Sequence, residues 1–163
     1  MSDDTHISQT TRRDLLINAS CFAGGGALLL TVAPAPARAT PETMLAAMKK
    51  VIGEAALRKG KVTLELPPLI ENGNSVAMTV AVESPMTAAD YVKAIHVFTE
   101  KNPQPYVVNA YLGPRSGRAI ITTRVRLADT QTVIAIAEMS DGSFWSDSVS
   151  VVVTLAACLE ELA

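Results

Sequence analysis

One cysteine near the C-terminus is the residue best suited to covalent chemistry in this sequence. Cys158 stands in the stretch VVVTLAACLEELA, directly after an apolar run that is typical of a buried β-strand. The only other cysteine, Cys21, falls in a segment that we predict to be cleaved off. A single remaining thiol cannot form an internal disulfide, so it indicates intermolecular pairing or a working thiol.

The neighbours of Cys158 favour an attachment point over a nucleophile that acts unaided. Glu160 and Glu161 follow it and no Lys, Arg or His lies near it in the sequence, so nothing local lowers the thiol pKa from about 8.5. Only a small fraction of such a thiol is ionised near neutral pH. We therefore expect other enzymes to activate it, and we predict no catalytic residue in this chain.

Other residues with potential chemistry are few. His96 is the only histidine after residue 39, so no metal-ligand set accompanies the thiol and we predict no metal site and no cofactor. A Cys158/His96 dyad is conceivable, but a histidine inside YVKAIHVF is expected to be a hydrogen-bonded sheet residue. Arg115 and Arg118 in GPRSGRA suit an anion or a partner, although a solvated turn is the commoner role.

Two aromatic residues complete the predicted partner contacts. Phe144 and Trp145 in MSDGSFWS follow a predicted tight turn and are expected to fill the core or an interface. Aromatic residues and arginines dominate interface energetics. We therefore predict partner contacts at Arg115, Arg118, Phe144 and Trp145.

The first 39 residues have the pattern of an export signal. Arg12 and Arg13 precede an apolar stretch that three glycines dilute, and the segment ends in the A-x-A cleavage signal ARA. We identify residues 1–39 as a twin-arginine signal peptide and predict a periplasmic protein. An apolar run of about 12 residues is too short for a transmembrane anchor, which needs roughly 20. Cys21 precedes this run instead of following it, so we do not expect it to be lipidated.

Residues 40–163 have the length of one ordinary domain. The chain has a formal net charge of −2 and no basic block, so nucleic acid and membranes are not expected partners. TPETMLAAMKKVIGEAALRKG predicts one amphipathic helix over residues 40–60, with Thr40 as N-cap, Pro41 at the first helical position and apolar residues at helical spacing up to Gly60.

Seven runs rich in β-branched and aromatic residues follow the helix and are separated by turn signals. They are KVTLEL, SVAMTVAVES, YVKAIHVFTE, YVVNAYL, AIITTRVRLA, QTVIAIAEMS and SFWSDSVSVVVTL. Strands at this spacing without intervening helices predict an all-β, immunoglobulin-like antiparallel sandwich over residues 61–154. Residues 155–163 form a C-terminal arm, in which Leu155, Cys158, Leu159 and Leu162 have the spacing of a short helix that would bury the cysteine.

Several motifs in this order resemble the SoxY family, which carries sulfur in the bacterial Sox thiosulfate-oxidation system. They are GKVTLELPPLIENGNSV, ESPMTAADYVKAIHVFTEKNPQP, LGPRSGRA, RVRLADTQTVIAIAEMSDGSFW and VTLAAC. The resemblance implies an immunoglobulin-like domain, pairing with SoxZ, and sulfur held on the cysteine of a C-terminal arm, here Cys158. It further implies transient partners: SoxXA couples thiosulfate to the thiol, SoxB releases sulfate and SoxCD, where present, oxidises the persulfide.

The tail departs from the family pattern. The family ends in Gly-Gly-Cys-Gly-Gly, whereas this chain has Ala156 and Ala157 before the cysteine and LEELA after it. Alanine favours a helix over glycine by about 1 kcal/mol per position, so we expect a stiffer arm. Three hypotheses stay open: a sulfur carrier, a SoxY-like adaptor of another periplasmic oxidoreductase with a structural thiol, and, least supported, an independent thiol enzyme.

Overall fold

Two packed β-sheets and one N-terminal helix make up the part of the chain that the computed structural model describes, residues 39–157. The predicted signal peptide, with Arg12 and Arg13, and the residues from Cys158 onward lie outside it. The helix α1 spans Pro41–Ile52, and Pro114–Ser116 forms a short 3₁₀ turn. The strands are β1 (Leu57–Lys59), β2 (Val62–Glu65), β3 (Leu69–Ile70), β4 (Val76–Val82), β5 (Val92–Thr99), β6 (Tyr106–Tyr111), β7 (Ile120–Val125), β8 (Gln131–Met139) and β9 (Phe144–Val153).

The strand order confirms the predicted all-β sandwich with one preceding helix. The larger sheet has the order β1-β9-β8-β5-β6, with β3 also paired to β9, and the smaller sheet has the order β2-β4-β7. All seven predicted strands are present. The prediction of a purely antiparallel sandwich is wrong in one respect, because the short strands β1 and β3 both pair in parallel with β9.

The main core lies between the two sheets. Side chains alternate along β4, so that Val76, Met78, Val80 and Val82 face inward and are buried. They meet the inner faces of the larger sheet, which are apolar over the same length: Val92, Ile95, Val97, Val133, Ala135, Ala137, Val151 and Val153. Strict alternation fixes which face of each strand enters the core, since a slip of one residue would expose it.

A second apolar cluster holds α1 on the outer face of the larger sheet. Met44, Ala47 and Met48 of the helix pack with Phe98, Ile136 and Phe144 of the strands. As predicted, Thr40 is the N-cap: its side-chain oxygen accepts a hydrogen bond from the Thr43 N–H at 3.3 Å, and the Thr43 hydroxyl oxygen accepts one from the Thr40 N–H at 2.7 Å.

The predicted end of the helix is wrong. The helix stops at Ile52 instead of Gly60, because Gly53 adopts φ 60° and breaks the helical path. Leu57 then joins β1 and packs against the second apolar cluster. Within residues 39–157 no helix is long and apolar enough to cross a membrane.

One hydrogen bond ties the helix to the edge of the larger sheet and gives a test of their packing. The Tyr106 hydroxyl donates to the Ala47 carbonyl at 3.1 Å. We expect Tyr106→Phe to lower the free energy of unfolding by about 1 kcal/mol, since a partly buried carbonyl loses its extra donor. Tyr111→Phe, at a site 80% exposed, is the matched control and should leave chemical denaturation unchanged. Equal effects of the two substitutions would contradict this assignment.

Candidate functional site

The chain leading up to Cys158 is fixed to the sandwich although Cys158 itself lies outside the described residues. The Leu155 carbonyl accepts a hydrogen bond from the Gly73 N–H at 2.8 Å, and the Ala157 N–H donates to the Leu127 carbonyl at 3.0 Å. The Gly73 carbonyl in turn accepts from the Leu127 N–H at 2.8 Å. We call these four residues, Gly73, Leu127, Leu155 and Ala157, the tail anchor.

Close backbone approach within the tail anchor requires a glycine at position 73. A Cβ atom there would lie 2.3 Å from the Leu127 carbonyl oxygen and 3.0 Å from the Ala157 nitrogen. Both neighbours are backbone atoms, which cannot swing away as a side chain can. The glycine of the ENGN loop is therefore needed for the tail to dock, in addition to its predicted role in a turn.

The Asn102 side chain holds the backbone on both sides of Leu127, which belongs to the tail anchor. Its side-chain amide donates to the Arg126 carbonyl at 2.9 Å and its carbonyl oxygen accepts from the Ala128 N–H at 3.0 Å, so it holds the residues on either side of Leu127. Gln131 donates to the same Asn102 oxygen at 3.0 Å. These buried, satisfied amides make the strand ends around the anchor rigid.

The tail anchor makes the predicted C-terminal arm shorter at its N-terminal end. Residues 154–157 are not helical and Leu155 is 58% exposed, so Leu155 does not take part in a buried terminal helix. Ala157, by contrast, is 1% exposed. The arm predicted over residues 155–163 thus belongs to the sandwich as far as Ala157. Cys158 is the next residue and lies outside the described part of the chain.

An exposed apolar rim lies beside the tail anchor. Leu69 of β3 and Val152 of β9 are register partners and are 59% and 50% exposed. Leu155 adds a third exposed apolar side chain two residues before Ala157. We call Leu69, Val152 and Leu155 the apolar rim.

The predicted partner contacts separate into exposed and buried residues. Arg115 and Arg118 are exposed on the turn between β6 and β7. Phe144 is 8% exposed and packs beneath α1, so the prediction that it contacts a partner is wrong. Its apolar ring is used to hold the helix instead.

Trp145 is half-buried and lies between two cations. The Arg58 guanidinium carbon and the Lys61 Nζ lie 5.7 and 5.1 Å from the ring centroid. The indole N–H donates to the Ser143 hydroxyl at 3.1 Å, and this hydroxyl donates to the Asp141 carboxylate at 2.6 Å. Hydrogen bonds from Ser143 lower the pKa of Asp141, and the two cations lower it further.

His96 is a hydrogen-bonded sheet residue, as predicted. It is 6% exposed, and its Nδ1 lies 2.7 Å from the Asn109 side-chain oxygen on β6. Tyr111 meets the imidazole edge to face at 6.1 Å between ring centroids. Both partners lie on β6 and not in the tail anchor. In the range 39–157 no three or more His, Cys, Asp or Glu side chains are grouped to hold a metal ion.

The fold and site define the class of protein: a β-sandwich domain whose last strand leads through an anchored tail to Cys158, the one cysteine after residue 39. The family model described as sulfur oxidation protein SoxY matches residues 48–158, which is more than half of the chain. The chain therefore belongs to the SoxY family.

Solved structures support the fold. The sulfur carrier protein SoxY from Chlorobium limicola f thiosulfatophilum is similar with a TM-score of 0.59 and 23% identity, over 70% of this chain and 98% of that chain. A superoxide reductase (neelaredoxin) from Ignicoccus hospitalis is similar with a TM-score of 0.52 and 16% identity, over 58% of this chain and 80% of that chain. At these identities the likeness concerns the fold alone. No match was found among curated protein sequences.

The tail anchor can be tested at its glycine. We expect Gly73→Ala to lower the free energy of unfolding by about 2 kcal/mol or more, because backbone atoms must move to admit the methyl group. Hydrogen exchange at the Ala157 amide should also become faster. Gly113→Ala is the matched control, since a Cβ there meets nothing within 4 Å and φ is −143°. Unchanged protection of the Ala157 amide in Gly73→Ala would show that the anchor does not depend on this contact.

Proposed function

We propose that this protein is a periplasmic covalent sulfur carrier in thiosulfate oxidation and that Cys158 holds the sulfur. The observation that carries the proposal is the position of this cysteine. It is the only cysteine after residue 39, it directly follows the anchored Ala157, and the SoxY family match extends as far as residue 158. The proposal is supported by a backbone that is fixed up to the residue before this cysteine.

The carrier chemistry consists of two steps on the thiol. In the first, the Cys158 thiolate and thiosulfate join in a new S–S bond to give Cys–S–S–SO₃⁻, and the two electrons released pass to an oxidising partner enzyme, which the family resemblance identifies as SoxXA. In the second, water cleaves the bond between the outer sulfane sulfur and the sulfonate to give sulfate, two protons and the cysteine persulfide anion Cys–S–S⁻, a hydrolysis assigned to SoxB. Where present, SoxCD would oxidise the persulfide.

Among residues 39–157, the tail anchor contains no side chain that would act as an acid, a base or a nucleophile in these steps. His96, the one histidine of residues 40–163, is bonded to Asn109 and lies outside the tail anchor. A thiol without a local base or cation reacts slowly by itself but is readily activated in another protein's site. A carrier role therefore fits this chain better than an enzyme role.

Export and partnership complete the proposal. The twin-arginine pattern at Arg12 and Arg13 would direct the chain to the periplasm, where the Sox reactions take place in this family. A SoxZ-type subunit would travel with it as a folded heterodimer. Arg115, Arg118 and Trp145 remain the candidate partner contacts, because these side chains reach the surface at least in part.

One observation favours the adaptor as a second candidate. The tail is docked through Ala157 and lacks the glycines of the family pattern, so it is less free to enter a deep cleft. In that case Cys158 would serve packing, and the sandwich would act as an interaction module for another oxidoreductase.

Intact mass distinguishes the two candidates. We expect protein isolated from cells growing on thiosulfate to show mass additions of one sulfur atom and of one thiosulfate unit, both removed by a reducing agent. Cys158→Ser, which keeps the size of the side chain, should abolish them without changing the thermal unfolding temperature.

A small alkylating agent provides the control for access to the thiol. Rapid alkylation of the folded protein at Cys158 is expected of a carrier. An unmodified thiol that resists alkylation until the protein is unfolded would reject the carrier and leave the adaptor.

A further inference from the structure

Strand β6 is an open edge of the larger sheet. It pairs with β5 alone among the described strands, while its other side has no strand partner. A register shift near Tyr106 places a bulge at the start of β6, and residues 108–111 then continue in regular register. Unpaired N–H and C=O groups on such an edge are a template for another strand.

The composition of β6 sets it apart from the other described edge strands of comparable length. β2 contains Glu65 and β7 contains Arg124, and charged side chains are a common means of keeping an edge from pairing. YVVNAY has no charged residue and no proline. Charged side chains and proline therefore do not keep β6 from pairing with another strand.

The opposite flank of the sandwich is closed within the chain. Asp147 of β9 accepts a hydrogen bond from the Leu64 N–H of the edge strand β2 at 2.9 Å, which joins the two sheets on that side. No comparable contact joins β6 to β7 among the described residues, where residues 112–119 make the only connection. The β6 flank is thus the open side of the sandwich.

The hydrogen-bond pattern identifies which groups of β6 face outward. The Leu112 N–H donates to the Lys93 carbonyl at 2.9 Å, so residue 112 forms a bonded pair with β5. Bonded and non-bonded pairs alternate in an antiparallel ladder, and the backbone groups of Asn109 and Tyr111 therefore point away from β5. These groups are free to bind an added strand.

The side chains around this edge match a protein partner with negative charge. Tyr111 is 80% exposed and Ile120, at the start of β7, is 48% exposed. Arg115 and Arg118 lie on the turn that connects the two strands and have no ion pair among the described residues. Tyrosine and arginine are enriched where interface energy is concentrated.

We propose that the outer edge of β6 is the docking site for an edge strand of a second β-domain, the subunit that pairs with this chain. The added strand extends the larger sheet by backbone hydrogen bonds to Asn109 and Tyr111, and acidic side chains of the partner face Arg115 and Arg118. This inference rests on the proposed function for the existence of the partner, but the surface is assigned from the edge itself.

Two substitutions at one position isolate the backbone contribution. Asn109→Pro removes the outward N–H, whereas Asn109→Ala removes only the side chain and its bond to His96. Proline is tolerated on the free side of an edge strand, so both variants should fold. We expect the proline variant to bind a co-expressed SoxZ-type subunit about tenfold more weakly than the alanine variant, since at least one hydrogen bond and close approach are lost.

Arg118→Glu is a second variant that does not depend on proline being accommodated, because residue 118 is exposed on the turn. It should weaken the complex, and more so at low salt, through repulsion of the partner's acidic side chains. Binding of the SoxZ-type subunit that is equal in Asn109→Pro, Asn109→Ala and Arg118→Glu would overturn the proposal.

The remaining outcomes separate this inference from the proposed function. If the isolated chain forms a dimer that Asn109→Pro disperses, the occupant is a second copy and the assignment of a different subunit is wrong. Sulfur on Cys158, measured by intact mass, is independent of β6. Sulfur loading together with unaltered partner binding would reject the docking edge and retain the carrier, while unaltered partner binding in a protein that never carries sulfur would reject both.

Discussion

Strand β9 forms backbone ladders with three other strands, antiparallel with β8 and parallel with β1 and β3. The ladder continues past its end, since the Thr154 N–H donates to the Ile70 carbonyl at 2.9 Å and the tail anchor follows. Phe144, at the start of the same strand, holds α1. One strand therefore positions the helix, the core and the residues up to Ala157. The register of β9 determines where the chain reaches Ala157, the residue before Cys158.

The backbone is fixed as far as Ala157, and Cys158 is the next residue. Backbone hydrogen bonds keep Ala157 in place without depending on any reactive side chain, and Asn102 stiffens the anchor from behind. The apolar rim of Leu69, Val152 and Leu155 is next to the exit. The described chain thus ends at a fixed backbone position beside exposed apolar side chains.

Runs of β-branched and aromatic residues between turn signals were sufficient to predict seven strands and the sandwich, because each of these strands has one face in a common core. It could not reveal β1 and β3, which have three and two residues and are defined by parallel pairing with a strand far along the chain. Helix propensity extended α1 too far, since EAALRK suits a helix locally but Leu57 is used in the sheet. Counting cysteines found Cys158, whereas the tail anchor consists of backbone contacts that leave no side-chain pattern; only the glycine in ENGN hints at it.

The pairing of β9 also has a mechanical consequence. A partner that pulls on the C-terminal end loads β9 along its own axis, and the hydrogen bonds that cross to β8 are perpendicular to that direction. The eight residue pairs from Gln131 and Val151 to Glu138 and Phe144 then share the force at once instead of opening one after another. The sandwich therefore resists a pulling force on the residues after β9 better than it would if these pairs opened in sequence.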